Sequence, residues 1–244
     1  PEWQEATRLG IPVVKRGPVL AALLSGTIGI AVAGSHGKTT TAGLIALVLT
    51  DAGLDPSFII GGVVENFGTN ARLGSGPHFV LEADEYDRTF LALRPHLALI
   101  TNVEMDHPDC FQDEDDLRQA FLEFAARTAR TGLILARADD PAVAALAQEA
   151  ASIAGCAVQT FGFAPAATWS ARDFAQHASG GTEFTVVREG RAGVRARMPL
   201  PGRHNVANAL AALAAATWLG VPTDAIVQSL ARFRGTRRRM EVRG

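Results

Sequence analysis

The 244-residue sequence predicts an α/β fold, a mostly parallel sheet flanked by helices and carrying a small antiparallel patch. Three observations predict it. Apolar runs of strand length, "IGIAVA", "HFVLEA", "LALIT", "GLILA" and "AVQTFG", do not alternate with polar residues, as strands covered on both faces require. Segments with helical spacing lie between most of them. After residue 165 the pattern changes: "TEFTVVREGRAGVRARMPL" alternates about the turn "EGRAG", which marks an antiparallel hairpin at 180–200.

From the start of the chain, "EWQEATRLGIPVVKR" reads as the end of a helix, a stop at Gly10 and a short strand. "IGIAVA" (28–33) is the first buried strand. "KTTTAGLIALVLTDAG" (38–53) follows as a helix with Leu44, Leu47, Val48 and Ala52 on one face. Strands at 78–83 and 97–101 come next, then a helix at 117–130 that aligns Leu117, Phe121, Phe124 and Thr128. Strands at 132–136 and 157–162 bracket a helix in "DDPAVAALAQEAASIAG". Beyond the hairpin, "HNVANALAALAAATWLG" (204–220) is an alanine-rich helix closed by Gly220, and "PTDAIVQSLARF" is another, with Pro222 and Asp224 near its start.

Composition sets limits on function. Hydrophobic residues make up 48% and charged residues 20%, enough for a large core. The net charge of −2 argues against general binding of polyanions, so no nucleic-acid partner is expected. No run of 18 apolar residues occurs and no leader is expected at the start, so a cytoplasmic protein with no membrane partner is the expectation. Cys110 and Cys156 read as two free thiols. The start at Pro1 and the stop after "RRRMEVRG" read as the ends of an excised piece.

Strand, glycine turn and helix meet in "IAVAGSHGKTTT". In Gly34, Ser35, His36 and Gly37 the small residues let successive backbone N–H groups face one concavity. The following helix adds unpaired donors and partial positive charge. Lys38 supplies a point charge for terminal phosphates, and Thr39 a hydroxyl for a Mg²⁺ shell, with Thr40 next along the turn. The longer phosphate-loop pattern would place glycine at 32, where this chain has valine, so only the short P-loop form is present.

Two acidic segments follow strands. "LEADEYDRTF" offers Glu82, Asp84, Glu85 and Asp87; "TNVEMDHPD" offers Asn102, Glu104, Asp106, His107 and Asp109. Parallel sheets place their sites at the carboxyl ends of strands, and carboxylates suit Mg²⁺. Solvated loops are the plain alternative. If both clusters reach the glycine turn, paired ions for phosphoryl transfer are the reading.

In order along the chain, "AVAGSHGKTTT", "GGVVENFGTNARLG", "EADEYDRTFL", "TNVEMDHPD", "PGRHNVANALAALAAA" and "FRGTRRRME" resemble successive motifs of the Mur ligases. These are ADP-forming enzymes that attach amino acids to the peptidoglycan precursor. The resemblance covers about 28–243 and implies the central ATP-binding domain at 23–244. Residues 1–22, with "LGIPVVKRGPVLAA", resemble the exit from a preceding UDP-sugar-binding domain. "GGVVENFGTNARLG" and "LGIPVVKR" are most similar to the branch that joins L-alanine to UDP-N-acetylmuramate. The "EADEYD" form, with Tyr86 where that branch more often has serine, is similar to the murein tripeptide branch of cell-wall recycling.

The resemblance implies ATP and Mg²⁺ as cofactors and an acyl phosphate as intermediate. It implies Lys38 on the β- and γ-phosphates, Thr39 and Glu82 on one magnesium and His107 on a second. His204, Asn205 and Asn208 would meet the adenine and its edge, and Arg239 the γ-phosphate. UDP-N-acetylmuramate and L-alanine would be held through flanking domains, and the isolated domain would be inactive. No lysine follows Lys38, so the carbamylated lysine of some family members is absent. Two other readings stay open: a P-loop NTPase switch, for which no guanine-specificity element is found, and a nucleotide-binding module without turnover.

Overall fold

The computed structural model describes residues 2–106 and 108–237. In chain order the helices are α1 (Glu2–Arg8), α2 (Arg16–Leu24), α3 (Lys38–Asp51), α4 (Glu114–Ala126), α5 (Pro141–Ala154), α6 (Arg203–Trp218) and α7 (Thr223–Leu230). The strands are β1 (Ile28–Ala33), β2 (Ser57–Val64), β3 (Thr69–Arg72), β4 (His78–Glu82), β5 (Leu97–Ile100), β6 (Leu133–Arg137) and β7 (Ala157–Gly162). β8 (Trp169–Gln176), β9 (Thr182–Arg188) and β10 (Arg191–Met198) complete one sheet of order β10-β9-β8-β7-β6-β5-β1-β4-β2-β3. From β2 through β8 neighbours run parallel; β3, β9 and β10 are antiparallel to theirs.

Alternation along the buried strands divides the core into two layers. Ile30 and Val32 of β1 pack with α3, α6 and α7; Ala31 and Ala33 face the layer that holds α2, α4 and α5. The chain leaves β1 toward β2 on one side, and from β4 it crosses to β5 on the other. β1 is therefore a point where strand order reverses, and a crevice opens beyond its carboxyl end.

Several sequence expectations change in the fold. The short strand after Gly10 does not form: residues 11–15 are irregular and α2 follows, because a β-rich segment becomes a strand only beside a partner. α3 has no polar face. Every residue from Lys38 to Leu49 is buried, because α6 covers the side that the sheet leaves open. The alanines of α6 allow that close packing, and Asn205 to Ala216 are buried in turn. α4 begins three residues earlier than its apolar spacing marks, where the Asp113 side chain accepts from the Asp116 N–H. β2, β3 and β8 carry no clean periodic signal; β8 links the parallel sheet to the hairpin. Cys110 and Cys156 are free thiols.

Candidate functional site

The glycine turn lies in the crevice beyond β1. Gly34 has φ +129°, and a Cβ there would stand 2.1 Å from Thr101 Oγ1, so glycine alone fits between the turn and the end of β5. Gly37 has φ +85° and forms the N-cap of α3, with no side-chain cap on the helix. The first turn of α3 thus directs its N–H groups and the positive end of its dipole into the crevice.

The β5 end fixes the turn from the other side. Ser35 Oγ donates to Glu104 O at 2.8 Å and accepts from the Glu104 N–H. His36 N–H donates to Asn102 Oδ1 at 2.9 Å, while Thr101 Oγ1 donates to His36 O at 2.6 Å. His36 Nε2 lies 3.7 Å from Glu104 Oε2.

Lys38 and Thr39, the first residues of α3, point to different carboxylates from one strand end. Lys38 Nζ donates to Gly34 O at 2.6 Å and to both oxygens of Glu85 at 2.8 Å. Thr39 Oγ1 donates to Glu82 Oε1 at 3.1 Å, and Glu82 Oε2 accepts from the Gly61 N–H at 2.6 Å. A hydroxyl and a carboxylate side by side form a hard-oxygen donor pair of the kind Mg²⁺ uses, since that ion retains waters and phosphate oxygens in its shell.

Among the described residues the carboxylates of the two acidic segments form no common cluster. Asp84 and Asp87 turn outward to Arg16 and Lys15, and Asp109 accepts from the Tyr86 hydroxyl at 3.2 Å. That contact pushes the Tyr86 phenol above its ordinary range. Among the described residues no group of three His, Cys, Asp or Glu side chains could hold a metal. His107 and Arg239 lie outside the described residues.

Beside the turn runs a groove of about 500 Å³ lined by His36, Gly37, Asn102, Arg137, His204 and Asn208, among others. A recess of about 200 Å³ adjoins it, where Thr40, Asn205 and Thr236 join His36, Gly37 and Asn208. α6 thus brings its first turns to the glycine turn across a long sequence separation. Asn205 Nδ2 donates to Pro201 O at 2.7 Å, and Asn208 is buried against Gly37. Arg137, Asp139 and Asp140 also line the groove and escaped the sequence reading. Their signal was available: they end or follow β6, another parallel strand, on the same edge of the sheet.

A glycine turn of the phosphate-loop form at the reversal of a parallel sheet, with a threonine–carboxylate pair beside it, is the architecture of the nucleotide-binding class of α/β proteins. Residues 32–216 match the Mur ligase middle domain, and the chain belongs to that family. It is 46% identical over 242 residues to the UDP-N-acetylmuramate–L-alanine ligases of Burkholderia ambifaria and Burkholderia multivorans. Those alignments take in 99% of this chain and 51% of each relative, so the chain spans about half their length. Among solved structures, the UDP-N-acetylmuramate:L-alanyl-γ-D-glutamyl-meso-diaminopimelate ligase from Neisseria meningitides superposes with TM-score 0.83 at 34% identity. The match covers 96% of this chain and 75% of that one. UDP-N-acetylmuramate–alanine ligase from Thermotoga maritima gives 0.84 at 27% identity, over 98% and 53% of the two chains.

Proposed function

We propose that this chain is the ATP-binding part of an ADP-forming ligase that joins L-alanine to UDP-N-acetylmuramate. The observation that carries the reading is the first turn of α3. Its uncapped N-terminus, the Lys38 ammonium and the Thr39–Glu82 oxygen pair all meet at the end of β1. The 46% identity to alanine ligases supports the choice of substrates.

ATP would supply the phosphoryl group that activates the acceptor carboxylate, and Mg²⁺ would offset the crowded negative charge. Thr39 and Glu82 are the residues that would hold the ion, with His107 a ligand for a second. The N–H groups of the first turn of α3 and the Lys38 ammonium would bind the phosphates, whose mutual repulsion is the main electrostatic obstacle. His204, Asn205 and Asn208 would line the base end of the groove, and Arg239 would reach the terminal phosphate. Residues 1–22 would lead in from a UDP-sugar-binding domain. That domain and a third one would place acceptor and amine against the phosphate, a contribution worth several kcal/mol.

The test has two parts. Calorimetry with magnesium and a non-hydrolysable ATP analogue should show binding that a GTP analogue does not match. Phosphate release by the protein with its flanking sequence should then require UDP-N-acetylmuramate and be greatest with L-alanine in a panel of amino acids. Tyr86 favours one competing amine substrate, a murein tripeptide in place of the amino acid. Faster release with tripeptide than with L-alanine would replace the proposal by that one.

A further inference from the structure

Lys38 has no proton to spare. An ammonium group carries three N–H donors and no acceptor, and here Gly34 O and the two Glu85 oxygens take all three. The pair is enclosed: the Lys38 side chain is 10% exposed and that of Glu85 is 2%. Two carboxylate oxygens at 2.8 Å present to the ammonium what two phosphate oxygens would present. We propose that Glu85 is a positioning residue that competes with the nucleotide's phosphates for Lys38, so that binding proceeds by exchange of one anion for the other. The proposal rests on the reading of Lys38 as a phosphate ligand.

The turn that follows Glu85 is strained. Asp87 and Arg88 hold φ values of +50° and +51°, consecutive left-handed residues that are not glycine. Such a conformation is strained for an L side chain and persists only where its surroundings impose it. The imposing contacts are visible. Arg88 donates to both oxygens of Asp116 at 2.6–2.7 Å and lies over the Phe111 ring, and Lys15 pairs with Asp87 at 3.0 Å. A strained turn held by ion pairs can yield when Lys38 is offered a better partner. A buried ion pair with nothing to displace it would have no such need.

Exchange has a sign that structural support lacks. Glu85→Gln keeps the shape and one acceptor but removes the competing charge, along with its repulsion of the incoming phosphates. It should therefore tighten magnesium–ADP binding, with Kd falling about threefold to tenfold by calorimetry while the melting temperature without nucleotide falls. A Kd that is unchanged or raised would overturn the proposal and leave a purely structural ion pair. A second measurement needs no variant. Lys15 and Lys38 are the two lysines of the chain, which makes their side-chain nitrogens separately assignable by NMR. In the unsubstituted protein, magnesium–ADP should move both the Lys38 Nζ signal and the Glu85 carboxylate carbon. Movement of Lys38 alone, with Glu85 still, would mean that the pair is kept, and would overturn the exchange. If neither protein binds nucleotide, the reading of the site fails and takes this proposal with it; binding by both with the wrong order of affinity sinks the exchange alone.

Discussion

At the scale of single residues, Gly34 and Glu82 make opposite demands on a substitution. A Cβ at position 34 meets Thr101 Oγ1 and the Asn102 backbone at once, in a backbone conformation that L side chains rarely adopt. Gly34→Ala should destabilise the protein by about 3 kcal/mol or more, seen as an early midpoint in urea, because the obstacle is backbone on one side. Glu82 instead sits at the surface of the crevice with two hydrogen bonds. Glu82→Ala should leave the fold nearly as stable yet weaken magnesium–nucleotide binding at least about tenfold, roughly 1.4 kcal/mol. Calorimetry with and without magnesium checks the point. Equal affinity of variant and parent in the presence of magnesium would make this carboxylate a structural one. "EADEYD" offers four candidate carboxylates; their spacing alone does not rank them, and only the family resemblance singled out Glu82. Only the direction of each side chain separates Glu82 and Glu85, which face the turn, from Asp84 and Asp87, which face Arg16 and Lys15.

The elements show where periodicity informs and where it fails. α4 was readable because one side meets water, whereas α3 and α6 are covered all round and their sequences cannot show which face meets which neighbour. β4 opens on a buried histidine. His78 is 7% exposed, its Nδ1 makes no hydrogen bond among the described residues, and burial holds its pKa below the usual histidine value. The unfolded chain takes up that proton near pH 6.5, while the native protein takes it up only at lower pH. The unfolded state thus binds more protons in this interval, and stability falls as pH drops below about 6.5. His78→Phe should flatten that dependence. Urea midpoints at pH 7.5 and 5.5 should differ less in the variant than in the parent; an equal difference would assign the slope to other groups.

For the whole molecule, a nucleotide held in the crevice at the reversal of a single sheet would make stability and binding one measurement. The nucleotide would touch the β1–α3 turn and α6 together, which lie far apart in sequence but share a packed layer. A ligand that binds only the folded form stabilises it by about 2.7 kcal/mol at one hundred times its Kd. Magnesium with an ATP analogue should accordingly raise the melting temperature by roughly 5–10 °C for a chain of this size. The expected increment is much smaller for the analogue without magnesium. A shift independent of magnesium would remove the Thr39–Glu82 pair from the site.

By itself the sequence determined the α/β class, the phosphate-type turn between β1 and α3, and the ordered motifs of the family, because these are local. A glycine turn, an apolar strand and the residues that follow them are contiguous, and backbone geometry fixes their relation within a few positions. The meeting of α6 with that turn, the burial of α3 on every side and the engagement of Lys38 by Glu85 were decided only in the tertiary structure. Each joins segments tens of residues apart, and spacing along a chain carries no record of which side chains a crossover brings within hydrogen-bond reach.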